Sequence, residues 1–330
     1  MTFVKVPSLA RTRHRPGILP LAIAALASML QAQETPRPNR LAWFEGFPEP
    51  LPEGASAMAL EVTSQFLRPD LEQPADGRTR ARLDGESWQL TMDLARPLGS
   101  GRVNLRMRLE DRSGGIADRA IQNWHRLYGM DEGGREKAPM GRLAYHLERD
   151  GVVVGDLSRP GLALMDLDLA WVRPFGNLDA GGRWGASVQL PTGRLADFSG
   201  SGGTDALVGG ALWRRWGTWH AATQVERVFL GLPNHSPLKA VLAERSFSRV
   251  WASLGWVGEG AGFLPGMGVE VALAYTGSPY RTGISRIDRS GWQQHWTFRH
   301  AHIPRWRFGF SEEAGTYTAP DITAFVAYRL

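Results

Sequence analysis

The 330-residue sequence contains no cysteine. A disulfide framework, a thiolate metal site and a cysteine nucleophile are therefore excluded. Lysine is also scarce, since Lys5, Lys137 and Lys239 are the only three among 38 lysine and arginine residues. The basic side chains are almost all arginines, whose planar guanidinium suits confined, paired positions better than an ammonium group does.

A long hydrophobic run is missing as well. The longest mainly apolar stretch, residues 18–30, contains Pro20 and is shorter than the roughly 20 residues that a transmembrane helix needs. Four basic residues precede it and small residues follow it, which is typical of a secretory signal peptide. We expect a signal peptide over residues 1–32, with Ala27 and Ala32 as alternative cleavage positions.

The excess of positive charge lies mostly in this leader. The whole chain carries a formal charge of +5, and removing the four basic residues leaves +1. A nearly neutral chain without a basic stripe does not match a nucleic-acid-binding protein, so we expect no nucleic-acid partner. Residues 33–55 are rich in proline and form a separate N-terminal segment, which is a candidate plug for the domain that follows.

From residue 56 onwards, apolar and polar residues alternate in many short segments. In RVNLRMRLED (102–111), Val103, Leu105, Met107 and Leu109 share one parity, and the other parity is polar. Successive side chains of a strand point to opposite faces, so this pattern indicates a strand with one apolar and one polar face. With the strong hairpin signal Asp150-Gly151 included, the predicted strands are 56–67, 86–96, 102–111, 141–149, 152–157, 163–173, 181–191, 205–214, 218–229, 247–257, 268–276, 291–300, 305–312 and 320–330.

Two architectures fit such strands: a soluble sandwich that buries the apolar parity, and a membrane barrel that turns it to lipid. Connections counted along the chain are alternately long and short, as in outer-membrane barrels. Closure also removes the unpaired edges that a sandwich keeps. Five tryptophans on the apolar parity suit an aromatic girdle: Trp88, Trp171, Trp184, Trp296 and Trp306. We therefore predict an all-β, antiparallel transmembrane β-barrel over 56–330 with about 14 strands, twelve being the alternative count.

One long connection, 112–140, is predicted to contain a helix. Ile116, Ala120, Trp124 and Leu127 recur at helical spacing within 116–128. We expect this helix to pack over the barrel mouth or against its own loop rather than to act as a gate.

The polar parity predicts a charged barrel interior. The candidate lumen-lining residues are Glu61, Asp93, Arg106, Arg108, Glu110, Arg183, Glu226, Arg305 and Arg307. Such residues either line a water-filled pathway that selects solutes or form a salt-bridged filling of a narrow barrel, and the sequence leaves both open.

Other chemistry is poorly supported. His295, His300 and His302 with Glu312 lack recognisable ligand spacing, so we predict no metal site. The glycine-rich stretch 199–205 is not followed by a helix and is interpreted as a loop. No Ser, His and carboxylate spacing nominates a catalytic triad, so we expect no catalytic residue, no cofactor and no enzyme activity.

Several longer stretches resemble a known family. They are SGGIADRAIQNWHRLYGMDEGGR (113–135), VQLPTGRLADFSGSGGTDALVGGAL (188–212), TGSPY (276–280) and EEAGTYTAPDITAFVAYRL (312–330). Together they resemble the proteobacterial outer-membrane barrels of domain of unknown function 3187, which implies a barrel without an established activity. The chain departs from such barrels by ending on Leu330 rather than on an aromatic residue.

The leading functional hypothesis is a passive channel or uptake barrel for small solutes in the outer membrane. The alternative is a structural or surface-interaction barrel that acts through its 112–140 and 230–246 loops, and an outer-membrane hydrolase is the least favoured. The expected partners are outer-membrane lipid, the barrel-insertion machinery and a small solute. The sequence does not determine an oligomeric state.

Overall fold

The computed structural model describes residues 54–67, 76–129, 137–177, 179–258, 266–313 and 322–330. The expected signal peptide and nearly all of the proline-rich segment lie outside these ranges. Within them the chain is almost entirely antiparallel β-structure, with fifteen strands in one sheet. None of the helices in the described ranges is long and apolar enough to cross a membrane.

Twelve strands form a closed ring. Each is paired with its two neighbours, and β1 closes the ring by pairing with both β2 and β15. In ring order the strands are β1 (Ser56–Leu67), β2 (Thr79–Leu98), β3 (Gly101–Ser113), β7 (Leu167–Gly176), β8 (Ala180–Leu190), β9 (Asp205–Trp216), β10 (Trp219–Phe229), β11 (Ser246–Val257), β12 (Met267–Thr276), β13 (Gly291–His300), β14 (Trp306–Glu313) and β15 (Ile322–Arg329).

Three strands lie outside this ring. β4 (Ala144–Arg149) pairs with residues 79–84 of β2 and forms a hairpin with β5 (Val152–Leu157). β6 (Gly161–Leu164) pairs with the end of β3. The structure therefore has the twelve-strand alternative, and the two additional strands in the count of fourteen are the β4–β5 hairpin. The hairpin strands alternate like membrane strands because the hairpin also has one buried and one exposed face. Alternation of apolar and polar residues therefore does not distinguish a strand of the ring from a strand of the hairpin.

The Asp150-Gly151 turn confirms the hairpin signal. Asp150 and Gly151 both have positive φ, 51° and 78°, which is the requirement of a type I′ turn. The predicted loop helix is present as α1 (Asp118–Tyr128) and ends at Gly129 in the left-handed conformation. A second, four-residue helix spans Ser285–Asp288.

The ring has a long-loop end and a short-turn end. The connections 99–100, 217–218 and 301–305 are short and lie at the same end as residues 54–55 and Leu330. The opposite end holds the longer connections, including 191–204, 230–245 and 277–290. This confirms the alternation of loop lengths expected from the sequence, once the β4–β5 turn is assigned to the long-loop end.

Along the strands, the apolar parity faces outward. In β3, Asn104, Arg106, Arg108 and Glu110 are buried, whereas Val103, Leu105, Met107 and Leu109 are partly exposed. The same holds around the ring, where the exposed large side chains on strands include Met58, Leu60, Leu94, Leu169, Val188, Val208, Leu212, Val225, Leu254, Leu273 and Phe308. A water-soluble protein does not present an apolar surface of this extent, whereas a barrel wall in lipid does.

Aromatic side chains concentrate near both ends of the outward face. Trp216 and Trp219 flank one short turn, and Trp306 contacts Tyr328 at the same end with ring centroids 4.9 Å apart. At the long-loop end, Trp292 contacts Tyr275 at 5.1 Å. These positions match the two aromatic girdles of transmembrane barrels.

Replacing Leu105 by Arg tests the assignment of faces. An arginine on the lipid face costs about 2–4 kcal/mol near the bilayer midplane and about 0–1 kcal/mol near the interfaces. We expect Leu105→Arg to lower the folded fraction in lipid vesicles strongly, measured by heat-modified gel mobility and urea titration. Leu98→Arg is the matched control, because Leu98 is an exposed residue at the short-turn end of β2. Equal folding of the two variants would contradict the outward assignment of Leu105.

Candidate functional site

The interior of the barrel is dominated by a column of charged side chains on β3. Arg106, Arg108, Glu110 and Arg112 follow one another at every second position and are all buried. This column results directly from the alternating sequence, because residues of one parity in a strand share one face. Only 1% of Arg108 and 2% of Arg112 is accessible, so this wall is densely covered by its neighbours.

Carboxylates from adjacent strands and from β3 itself pair with the arginines of the column. Arg106 donates two hydrogen bonds to the carboxylate of Asp93 on β2, from Nε to Oδ1 at 2.7 Å and from Nη2 to Oδ2 at 3.1 Å. Arg108 donates to Asp168 of β7 at 2.5 Å, and Arg112 Nε lies 3.1 Å from Glu110. Buried charges persist only when they are paired in this way.

A second cluster of polar side chains lies on the inner faces of β8, β10 and β11. Arg183 donates to Gln224 at 2.7 Å, and Gln224 donates onward to Glu226 at 2.5 Å. Arg249 Nη1 lies 3.9 Å from Glu226. The predicted residues Arg183 and Glu226 are therefore brought together through Gln224, a residue that the sequence analysis did not select.

The remaining predicted residues have more varied positions. Glu61 on β1 is half-buried and accepts a 3.3 Å hydrogen bond from Thr63, and Arg307 on β14 is half-buried. Arg305 differs from the rest. It is exposed in the turn before β14, and its Nη1 lies 3.5 Å from the hydroxyl of Tyr328 on the outward face. The predicted strand 305–312 thus begins one residue too early, and Arg305 belongs to the rim beside the aromatic girdle.

Asp166 is a buried site residue that the sequence analysis missed. Asp166 shares the inward parity of Asp168, and at this point a bulge shifts the pairing of β3 by one residue between β6 and β7. Its carboxylate accepts hydrogen bonds from the backbone N–H groups of Gly193 (2.8 Å) and Ser201 (2.9 Å) and from Gln189 (3.1 Å). Burial raises the pKa of Asp166. The bulge was hidden because 163–173 reads as one uninterrupted strand.

Nearer the short-turn end, the inner face becomes partly apolar. Trp251 packs with Ala222, Ala272 and Ala274 in a small cluster of buried residues. Beyond it, Glu270 lies 3.7 Å from His220 and 3.9 Å from Arg299. Side chains of both kinds therefore share the interior, which differs from the uniformly charged lumen that the polar parity suggested.

The three histidines considered as ligands do not converge. His295 is buried on β13, whereas the rings of His300 and His302 contact each other at the short-turn end, with centroids 5.0 Å apart and planes tilted by 39°. No metal-ligating cluster of three residues occurs in the ranges that the structure describes.

The long-loop end is covered by the β4–β5 hairpin. We use "hairpin cover" for residues 79–84 of β2 together with β4 and β5. Its inner face contributes to one apolar cluster with the 191–204, 230–245 and 277–290 loops. Among its buried members are Leu83, Tyr145, Leu147, Val154, Leu195, Phe198, Leu230, Leu238, Val241, Tyr280, Ile284 and Ile287. The three loops connect strands β8 to β13, whereas the hairpin extends from β2, so the cluster joins two sides of the ring at the mouth.

Polar contacts fasten the hairpin cover to the far side of the ring. Arg149 Nη1 donates to the backbone carbonyl of Thr282 and to Thr79 Oγ1, both at 2.6 Å, and Thr79 Oγ1 also binds the Thr282 carbonyl. Thr282 belongs to the connection between β12 and β13, the ninth and tenth strands of the ring, whereas Thr79 begins the second strand. The loops are also joined to one another, since Asp205 accepts hydrogen bonds from Ser201 Oγ (2.6 Å) and from Gly231 N (2.9 Å).

The closed twelve-stranded ring, its apolar outer face and its polar inner face define an antiparallel transmembrane β-barrel. Solved structures of this class are similar to the chain. An outer-membrane channel from Pseudomonas putida F1 aligns with a TM-score of 0.52 and 13% identity, over 86% of this chain and 99% of that one. The NanC porin (TM-score 0.40, 6% identity, 83% and 97% coverage) and the toluene transporter TodX of P. putida (0.38, 9%, 84% and 90%) are more distant.

A family model described as protein of unknown function (DUF3187) matches residues 75–261, more than half of the chain. The chain belongs to this family, which confirms the resemblance seen in the 113–135 and 188–212 stretches. No curated protein is similar enough to count as a relative.

A double-mutant cycle tests the contribution of the Arg106–Asp93 pair. Removing one partner of a buried pair leaves an uncompensated charge and costs about 3–5 kcal/mol, whereas replacing both partners by apolar residues is frequently neutral. We expect Arg106→Met to lower stability in urea titrations of the lipid-embedded barrel, and Asp93→Leu to restore most of the loss in the double variant. A double variant as unstable as the sum of the single ones would contradict the pairing.

The packing of the hairpin cover is tested at Gly155. A Cβ added there would lie 2.8 Å from the Phe198 ring and 2.9 Å from the Leu195 carbonyl. We expect Gly155→Val to push the hairpin away from the 191–204 loop and to speed amide hydrogen exchange in 144–157, while the ring strands stay protected. Gly161→Val is the control, because nothing lies within 4 Å of its added Cβ. Unchanged exchange in Gly155→Val would show that the hairpin does not rest on this loop.

Proposed function

We propose that the protein is a passive channel or uptake barrel for small solutes in the outer membrane, exported by the signal peptide at 1–32. The observation that carries the proposal is the division of the closed ring into an apolar outer face and a polar inner face. A polar inner surface is what a solute meets when it crosses a membrane inside a barrel. On this proposal the inner-face residues Asp93, Arg106, Arg108, Glu110, Arg183 and Glu226 line the path.

The charge of the interior favours neutral or zwitterionic solutes. The buried arginines inside the barrel and beneath the hairpin cover are Arg106, Arg108, Arg112, Arg149, Arg183, Arg249 and Arg299. The buried carboxylates there are Asp93, Glu110, Asp166, Asp168, Asp205, Glu226 and Glu270. In the ranges that the structure describes, these seven basic and seven acidic side chains leave no strong field of one sign, and such a field is what makes a channel select ions of one charge.

Passage through this barrel requires the hairpin cover to move. In the proposed orientation the long loops are extracellular and the short turns periplasmic. The apolar cluster and the Arg149–Thr282 contact then close the extracellular mouth, while the proline-rich segment 33–55 would reach the lumen from the periplasmic side. Conduction is therefore expected to be intermittent and to depend on opening of the cover.

A second candidate is a surface-interaction barrel. One observation favours it: the long loops are held by hydrogen bonds to Asp166 and Asp205, and inner charges such as Arg106 and Arg108 are paired with carboxylates. On this alternative, the 230–246 loop and the α1 loop act as the binding surface, and the salt bridges fill the barrel. The two candidates make opposite predictions for conductance.

Planar-bilayer recording of the purified protein distinguishes them. We expect brief openings with a reversal potential near zero in a salt gradient, and a large increase in open time when residues 144–157 are replaced by a short Gly-Ser linker. Gly161→Val serves as a control that leaves the hairpin in place. Recordings with and without 33–55 test the proposed plug. Absence of conductance and solute flux in all forms, with insertion confirmed by gel mobility, would overturn the channel proposal.

A further inference from the structure

The helix α1 starts on the outer surface of the barrel wall. Glu86 lies on the outward parity of β2, and its Oε2 accepts hydrogen bonds from the backbone N–H groups of Ile116 (3.0 Å) and Ala117 (2.8 Å). Its Oε1 accepts a 3.0 Å hydrogen bond from Nε1 of Trp88, the outward aromatic residue two positions away. Glu86 therefore ties the beginning of the helix to the wall immediately beside Trp88 and not over the mouth, which was one of the two positions expected from the sequence.

The outer wall below the helix is mostly apolar, but its uppermost row also contains the exposed Asp111 of β3. Trp88 pairs across β3 with Asp111, and Asp111 pairs with Leu162 of β6. Leu162 and Leu164 both lie on the outward face of β6, and Leu162 is 71% exposed. The lipid-facing surface thus continues through β2, β3 and β6 to the point where α1 begins.

The helix has apolar residues on its exposed side as well as on its buried side. Ile121 and Gln122 are buried, and Asp118 accepts a 2.8 Å hydrogen bond from the backbone of Gly141, so this side faces the barrel. Leu127 is 75% exposed. Ala120, seven residues earlier and therefore on the same helical face, is exposed too.

Ile116, immediately before the helix, is 84% exposed, the highest value among the large apolar residues described. Arg119 and Arg126 are also exposed and lie seven residues apart beside the Ala120–Leu127 face, separated from it by the exposed Asn123, to which Arg126 Nη2 donates a 2.8 Å hydrogen bond. A water-facing helix places polar residues where Ile116 and Leu127 stand. An apolar face bordered by arginines is instead the pattern of a helix lying in a membrane interface.

We propose that the exposed face of α1, formed by Ile116, Ala120 and Leu127, docks onto the outer-leaflet lipid surface beside the barrel. The apolar side chains enter the boundary between headgroups and acyl chains, and Arg119 and Arg126 face lipid phosphate groups. The occupant follows from continuity, because the helix begins next to Trp88 at the upper limit of the lipid-facing wall. This docking is independent of conduction.

Single-cysteine labelling tests the proposal, since the natural chain has no cysteine to interfere. Leu127→Cys is labelled with an environment-sensitive nitrobenzoxadiazole dye, and the full-length barrel is reconstituted in phosphatidylcholine and phosphatidylglycerol vesicles with or without brominated acyl chains. We expect blue-shifted emission and bromolipid quenching. Ala120→Cys is a second test position on the same face and keeps the proposal testable if Leu127→Cys inserts poorly.

Two reference positions calibrate the result. Val225→Cys lies on the outward face of β10 and marks full lipid contact, whereas Asn234→Cys is exposed in the 230–245 loop and marks water. Leu127 and Ala120 labels that quench at least half as strongly as the Val225 label support docking. Emission and quenching equal to those at Asn234 would overturn it. Dye self-quenching that rises with protein density, without bromolipid quenching, would identify a second copy as the occupant and would also overturn the proposal.

Discussion

Everything in this structure depends on the requirement that a sheet in lipid has no free edge. Backbone N–H and C=O groups find no water in the hydrocarbon region, so each strand must have two hydrogen-bonded neighbours. Pairing of β1 with both β2 and β15 meets this requirement and makes the twelve strands a ring. Once the ring is closed, strand alternation assigns every second side chain to lipid and the others to the interior.

The interior then has to accommodate the polar parity. Arginine is suited to this because its fork binds a carboxylate through two parallel hydrogen bonds, as Arg106 does with Asp93. Small inward residues provide the space for these long side chains. Gly209, for example, is paired with Glu226 on the neighbouring strand. A Cβ added at position 209 would lie 3.1 Å from Cγ of Glu226. The interior must therefore satisfy charge pairing and side-chain packing at the same time. Both depend on neighbouring strands, so neither can be predicted from the sequence of one strand.

At the long-loop end, burial of apolar side chains dominates instead of charge pairing. The hairpin cover buries leucine, valine and aromatic side chains against three loops in the manner of a small soluble core, although it is built on the same strand β2 that crosses the membrane lower down. Thr79, Ala81 and Leu83 continue the inward parity of β2 beyond the ring. One strand therefore contributes to two environments without any change in its period. The Arg149–Thr282 contact shows how the cover reaches the opposite wall.

The sequence alone determined the local properties: alternation, the lipid-facing and inward parities of 102–111, the Asp150-Gly151 turn, the helix in the 112–140 loop and most of the inward charges. These follow from period and turn chemistry, which act over a few residues. Tertiary structure decided what depends on partners far along the chain: twelve ring strands instead of fourteen, the loop N–H groups that bind Asp166 and the outward position of Arg305. It also decided that α1 sits on the outer wall, because only there does Glu86 meet the backbone of Ile116 and Ala117.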